Sequence, residues 1–308
     1  MARHEFTPTV FYNTFGSHPP AFHVDPGDEI MTTTVDARGR DQHNDELAGR
    51  PNPQTGPFFV SGAEAGDTLV LHLDSIRPNR SLGWTTGCLA PNVLDFDYEP
   101  EFDDEVDLAE WKVDPTAGTV TLTTPENRLT GKSFELRPMM GTVGVAPDIG
   151  EAISTSTSGP HGGNMDYNRI KEGVTVYFPV FTEGALFFLG DGHALQGDGE
   201  MDGTGVEISM DVRFRLDLIK GHSIQWPRAE DEEYLMVCGN VRPLDQAVQH
   251  ATTEMVRWLE SDYGLTAREA HMLLGRVSEY DIGNMYDPAY TMVCKVPKAV
   301  LISLGLSS

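Results

Sequence analysis

Within about forty residues the chain sets two imidazoles and four carboxylates: His161 and Asp166 in GPHGGNMD, then Asp191, His193, Asp198 and Glu200 in GDGHALQGDGE. Asp191 and His193 stand two apart, as do Asp198 and Glu200, so in extended chain each pair points to one side. A hairpin between the pairs would gather all four side chains at one point. Imidazole nitrogen with carboxylate oxygen is the donor set of a hydrolytic divalent-metal site, zinc first, with one position open for water. A plainer reading stands beside it: Gly-Asp-Gly is a common turn, and Asp and Asn favour turns without any ion. Against that reading is the crowding of carboxylates among apolar strands, where an uncompensated charge is costly.

Other routes to hydrolysis are weaker. The segment STSTSGP (154–160) lacks the glycine pattern of a Ser-Ser-Lys amidase, and no G-x-S-x-G elbow is present. Cys88 sits in the turn-like TTGCLAPN with no neighbouring base, while Cys238 and Cys294 lie in apolar, core-like settings. Three cysteines far apart also argue against a disulfide framework or a thiolate zinc cluster.

The elements that must position these groups are mostly strands. Val206, Ile208, Met210, Val212, Phe214, Leu216 and Leu218 alternate with Glu207, Ser209, Asp211, Arg213, Arg215 and Asp217, which predicts a long strand with one face in the core and one in water. Shorter strand signals cover 29–35, 58–62, 68–73, 119–123, 173–180 and 185–189, separated by Gly, Pro, Asn and Asp clusters. Late in the chain the period lengthens. Ala247, Ala251, Met255, Leu259 and Tyr263 trace one helical stripe that Gly264 stops. Thr266 and Glu269 form a capping box for a second helix burying Leu273, Leu274 and Val277, and a closing strand spans 290–296. The pattern predicts a mainly β chain: an antiparallel β-sandwich, jelly-roll-like, with added helices that include a C-terminal helical hairpin over 244–278. Segment 95–111 is an acidic insertion with a short helix, and 1–308 reads as one domain.

A chain of 308 residues can bury a large core, and 39% hydrophobic with 22% charged residues is ordinary globular stock. A net charge of −25 repels nucleic acid and anionic membranes. No apolar run is long enough for a membrane helix, and no basic-then-apolar leader opens the chain, so the expectation is a cytoplasmic protein. Sandwich edges and helical extensions commonly pair, which predicts a homo-oligomer.

GPHGGNMD followed by GDGHALQGDGE resembles the paired signature of the acetamidase/formamidase family. NPQTGPFFVSGAEAGDTL (52–69), GTVGVAP (141–147) and GTGVEISMDVRFRLDL (203–218) fit the same template, so the likeness covers most of roughly 25–220. Ala65 stands where the family usually has Pro, and Gly192 where Leu is expected. The resemblance implies a mainly β sandwich that hydrolyses a small amide, formamide or acetamide, to ammonia and a carboxylate. It also implies metal dependence, with zinc as catalytic ion and calcium as a second one. On this reading His161, Asp166, Asp191, His193 and Asp198 bind metal. Glu200 or Asp198 takes the proton of the attacking water, and Asn164 or Gln196 holds the amide in a small pocket. Two other classes share parts of the pattern. A cupin-like metal oxygenase would carry an H-x-H that is missing here, and a calcium-stabilised carbohydrate-binding sandwich has little use for His161 and His193.

Overall fold

Alternating strands with one apolar face must stack those faces together, and they do so here in two large sheets. The computed structural model describes residues 2–98 and 108–306. One sheet has nine strands in the order Arg3–Phe6, Glu29–Thr33, Met210–Ile219, Thr68–Pro78, Thr175–Pro179, Arg228–Glu230, Tyr234–Asn240, Thr291–Pro297 and Glu279–Asn284. Its pairs are antiparallel except Arg3–Phe6 beside Glu29–Thr33. The facing sheet runs Ser158–Gly159, Gly162–Asn164, Met139–Gly144, Phe187–His193, Gln54–Val60 and Phe11–Tyr12, with Phe22–Val24 also paired to Gln54–Val60. Between them Leu69, Leu71, Phe178, Val212, Phe214 and Leu216 of the first sheet meet Phe58, Val60, Met140, Val143, Phe187 and Leu189 of the second. Phe58 and Phe214 touch edge to face at 5.4 Å across that seam. The mainly β sandwich expected from the alternation is what forms.

Two helices cover the outer face of the nine-stranded sheet. Helix α1 (Leu244–Tyr263) buries Ala247, Ala251, Met255 and Leu259, and ends at Gly264 in the left-handed conformation. Helix α2 (Ala267–Val277) opens with the Thr266–Glu269 capping box and buries Leu274, with Leu273 and Val277 half-covered. Their shared core includes Leu235, Val237, Cys294 and Val296 of the underlying strands.

Two expectations need correction. Glu207 and Ser209, placed on the water face by the alternation, are both buried, because the regular strand begins only at Met210. Before it the chain leaves the sheet and bridges to Trp84 and His193, so the same side of the chain now faces protein. In the acidic segment, the end at 109–111 opens a strand, Ala109–Asp114, that pairs with Leu82–Thr85 and Thr119–Thr124. Most of the stretch in which a short helix was expected, 99–107 of 95–111, lies outside the described residues.

Candidate metal centre

The Phe187–His193 strand pairs with Met139–Gly144 and delivers Asp191 and His193 to one end of the sandwich. The loop after Gly162–Asn164 brings Asp166, the turn at 197–203 brings Glu200, and the approach to Met210–Ile219 brings Glu207. Asp287 arrives from the loop after Glu279–Asn284. These side chains form three overlapping groups whose candidate ligand atoms lie within 4.8 Å of one another: Asp166–Asp191–His193, His193–Glu200–Glu207 and Asp166–Glu200–Asp287. Asp166, Asp191 and Glu200 all hold positive φ (43°, 59° and 44°), as does the adjoining Asn52 at 35°. Non-glycine residues reach that region at a cost, and such strain gathers at functional sites. Gly141 makes the convergence possible. A Cβ there would stand 2.4 Å from Asp166 Oδ1 and 2.8 Å from Asp191 Oδ2.

Amides hold the carboxylates in place. Asn284 Nδ2 donates to Glu200 Oε2 at 2.7 Å and to Asp166 Oδ2 and Asp287 Oδ2 at 2.8 Å. Asn164 Nδ2 donates to Asp166 Oδ2 at 2.7 Å, while its Oδ1 accepts from Asn52 Nδ2 at 2.7 Å and from the Thr142 hydroxyl. Gln196 Nε2 donates to the Asp166 carbonyl at 2.6 Å, so its Oε1, 2.8 Å from His193 Nδ1, accepts from Nδ1–H. That leaves His193 Nε2 as the open position of the ring. It lies 2.9 Å from Glu207 Oε1, 3.5 Å from Asp191 Oδ1 and 4.0 Å from Glu200 Oε1, out of line for a hydrogen bond to any of them.

The electrostatics are lopsided. Burial, with Asp191 and Asp287 close by, pushes the Asp166 carboxyl well above its ordinary range. Burial and Asp166 do the same to Glu200. Burial lifts Glu207 to about 8 and Asp287 to about 6. Asp191 is desolvated too, but His193 and the Thr142 hydroxyl hold it below the usual value. His193 is raised well above its own by Glu207 and Asp191, against its burial. Five carboxylates around one imidazole cannot all ionise without a further positive charge. Asp166 Oδ1, Glu207 Oε2 and His193 Nε2 are buried polar atoms with no hydrogen-bond partner. Nitrogen and oxygen donors left open in this way fit a divalent cation.

Four residues singled out in the sequence stand elsewhere or do other work. Asp198 is exposed, accepts from Asn168 Nδ2 at 2.6 Å and joins none of the three groups. Gly199 (φ 86°) and Glu200 break the extended backbone that would have kept Asp198 and Glu200 on one side. His161 is buried edge-on against Phe15 at 5.1 Å, also outside the groups, with both ring nitrogens unpartnered. Burial lowers it to about 4, so it is neutral. Gln196 and Asn164, expected to hold substrate, spend their amides on His193 and on the carboxylates.

A family model described as the Acetamidase/Formamidase family matches residues 149–301. A structure described as a predicted acetamidase/formamidase from Thermoanaerobacter tengcongensis superposes with a TM-score of 0.83 at 30% identity, over 100% of this chain and 99% of that one. An acetamidase from Yersinia enterocolitica gives 0.82 at 31% identity, over 97% and 93%. The chain belongs to the acetamidase/formamidase family. A Schizosaccharomyces pombe protein named as a formamidase is 24% identical over 257 residues, 66% of this chain and 62% of its own length, so the match spans under two thirds of that curated relative.

In this family member the sequence reading missed Glu207, Asp287, Asn284, Asn52 and Thr142. One signal pointed to two of them. Gly163-Asn164-Met165-Asp166 has an echo in Gly283-Asn284-Met285-Tyr286-Asp287, and both copies send an amide and a carboxylate into the same cluster.

Proposed function

We propose that this protein hydrolyses carboxylic amides at the Asp166–Asp191–His193–Glu200–Glu207 cluster, around a divalent cation. The observation that carries the reading is the set of buried, unpartnered polar atoms on Asp166, His193 and Glu207, residues of overlapping groups of candidate ligands that share His193. His193, Asp191, Asp166 and Glu207 would hold zinc. Beside Glu200, Asp166 and Asp287 offer oxygen donors of the kind suited to calcium as a second ion. A bound zinc would supply Lewis-acid polarisation of the carbonyl and lower the pKa of water.

The chain's own groups handle the protons. Glu200, raised by burial and Asp166 and steadied by Asn284, takes a proton from the attacking water and passes it to the nitrogen. The water oxygen bonds to the carbonyl carbon and the C–N bond breaks. The nitrogen leaves with both water protons as ammonium, and a carboxylate remains. Gln196 keeps Nδ1 of His193 protonated throughout, so that a bound cation would replace the proton on Nε2. Formamide and acetamide are the first substrates to test. Ammonia release that vanishes on chelation and returns with zinc supports the reading. Full activity in protein shown by elemental analysis to be metal-free would end it.

A further inference from the structure

The pocket over the cluster is larger than a short amide needs. Its cleft of about 400 Å³ reaches from the buried Asp191, Glu200 and Glu207 past Trp84 to Arg38 and Arg50. Acetamide has four non-hydrogen atoms and fills on the order of 100 Å³, taking a water's share of about 30 Å³ for each. The cleft instead falls in the range of roughly 300–1,000 Å³ typical of sites for larger ligands. Its charge is also divided. The buried end is acidic, whereas the outer end carries two arginines in a chain that has only 22 Lys and Arg against 47 Asp and Glu.

Arg38 is held for contact. Its guanidinium lies over the Trp84 ring at 4.4 Å. Its backbone N–H donates to Asp36 Oδ1 at 2.9 Å, and Trp84 Nε1 donates to Asp36 Oδ2, also at 2.9 Å. The buried Asp36 carboxylate thus fixes the Trp84 ring and the Arg38 backbone, and the guanidinium rests on the face of that ring, so its freedom is already restricted before a ligand binds. Arg50 is exposed at the same rim and makes no ion pair among the described residues. A neutral acyl group has no use for such a rim, and the field of the surface repels anions. A planar fork of N–H donors is what recognises a carboxylate.

We propose that the cleft takes amides whose acyl part ends in a carboxylate, monoamides of dicarboxylic acids, with the amide over the acid cluster and the carboxylate at Arg38 and Arg50. This rests on the amide-hydrolase reading above, and the products are a dicarboxylate and ammonium. The test measures ammonia release from succinamate and glutaramate against the neutral butyramide, in the wild-type protein and in Arg50→Gln, Arg50→Glu and Arg38→Gln. The acid-bearing amides should lead by tenfold or more in kcat/KM. That ratio should fall toward one in the glutamine variants and below one in Arg50→Glu. Equal efficiency in the wild type, or a ratio that none of the substitutions moves, overturns the proposal. Calorimetric titration of succinamate and butyramide into the same proteins separates the two readings. If no amide turns over, the hydrolase reading fails, while an arginine-dependent preference in binding still supports the cleft's selectivity and its absence still sinks it.

Discussion

At the scale of single residues the division of labour rests on which carboxylate is already anchored. Glu200 gives one oxygen to Asn284 and keeps the other 4.0 Å from His193 Nε2, whereas Glu207 stands at 2.9 Å with its second oxygen unpartnered. On the proposed reading, then, Glu207 is the ligand and Glu200 the base. Glu200→Gln should therefore retain metal while kcat falls by roughly 10²–10⁴-fold, the usual share of general-base catalysis. Glu207→Gln should lose metal instead. Metal content and steady-state ammonia release on both variants decide it, and the reverse pattern would exchange their roles. Asp198→Asn should change neither metal content nor kcat by more than about twofold, since an exposed carboxylate bonded only to Asn168 has no path to the cluster.

Part of this was legible from residue types: of the four side chains that spacing was expected to gather, Asp191, His193 and Glu200 converge and Asp198 does not, while Asp166 joins them from the GPHGGNMD segment. What failed was the assumption of extended backbone. Positive φ at Gly199 and Glu200 swung Asp198 into solvent, and the break before Met210 turned Glu207 inward. Period-two reasoning has no means of seeing either event, because each depends on backbone conformations that a side-chain pattern does not encode.

At the scale of elements the helices read more cleanly than the strands that hold the site. A stop glycine and a capping box are local signals, whereas the pairing of Met139–Gly144 with Phe187–His193 is a long-range one. The helical layer nonetheless depends on a close approach that no propensity foretells. Gly239, in the Tyr234–Asn240 strand, lies where a Cβ would come 2.1 Å from the Ala247 carbonyl oxygen of α1. Gly239→Ala must push the helix off the sheet, and should cost about 1–3 kcal/mol, as overpacking does. Thr266→Ala removes only the cap of α2 and should cost about 1 kcal/mol. Denaturant titration of the two variants should rank them in that order, and a Gly239→Ala protein of wild-type stability would show that the α1 contact is looser than drawn.

For the whole molecule the cluster acts as a clasp. Its candidate ligands come from Met139–Gly144's neighbours in one sheet and from the chain entering Met210–Ile219 and leaving Glu279–Asn284 in the other, so a cation would tie the two layers together. No helix among the described residues is long and apolar enough to cross a membrane. The sign of its pH dependence follows from the carboxylates. Asp166, Glu200 and Glu207 have folded pKa values above their ordinary ones, Glu207 at about 8. A carboxyl raised in the fold binds protons more tightly there than in the unfolded chain. Without metal, then, stability is greatest below about pH 4.5 as far as these groups are concerned, and falls as pH rises toward 8. Asp191, held below its usual value, works in the opposite sense but is one carboxyl against four, since Asp287 is raised as well, to about 6. A cation needs these carboxylates ionised, so it binds more tightly as protons leave. The melting temperatures of chelated and zinc-loaded protein should therefore nearly coincide near pH 5 and draw apart toward pH 8. Zinc at a hundredfold excess over its dissociation constant adds about 2.7 kcal/mol, or about 4 °C for a chain of this size. A gap that stays constant across that pH range, or that closes as pH rises, would mean that the acidic cluster is not what the cation grips.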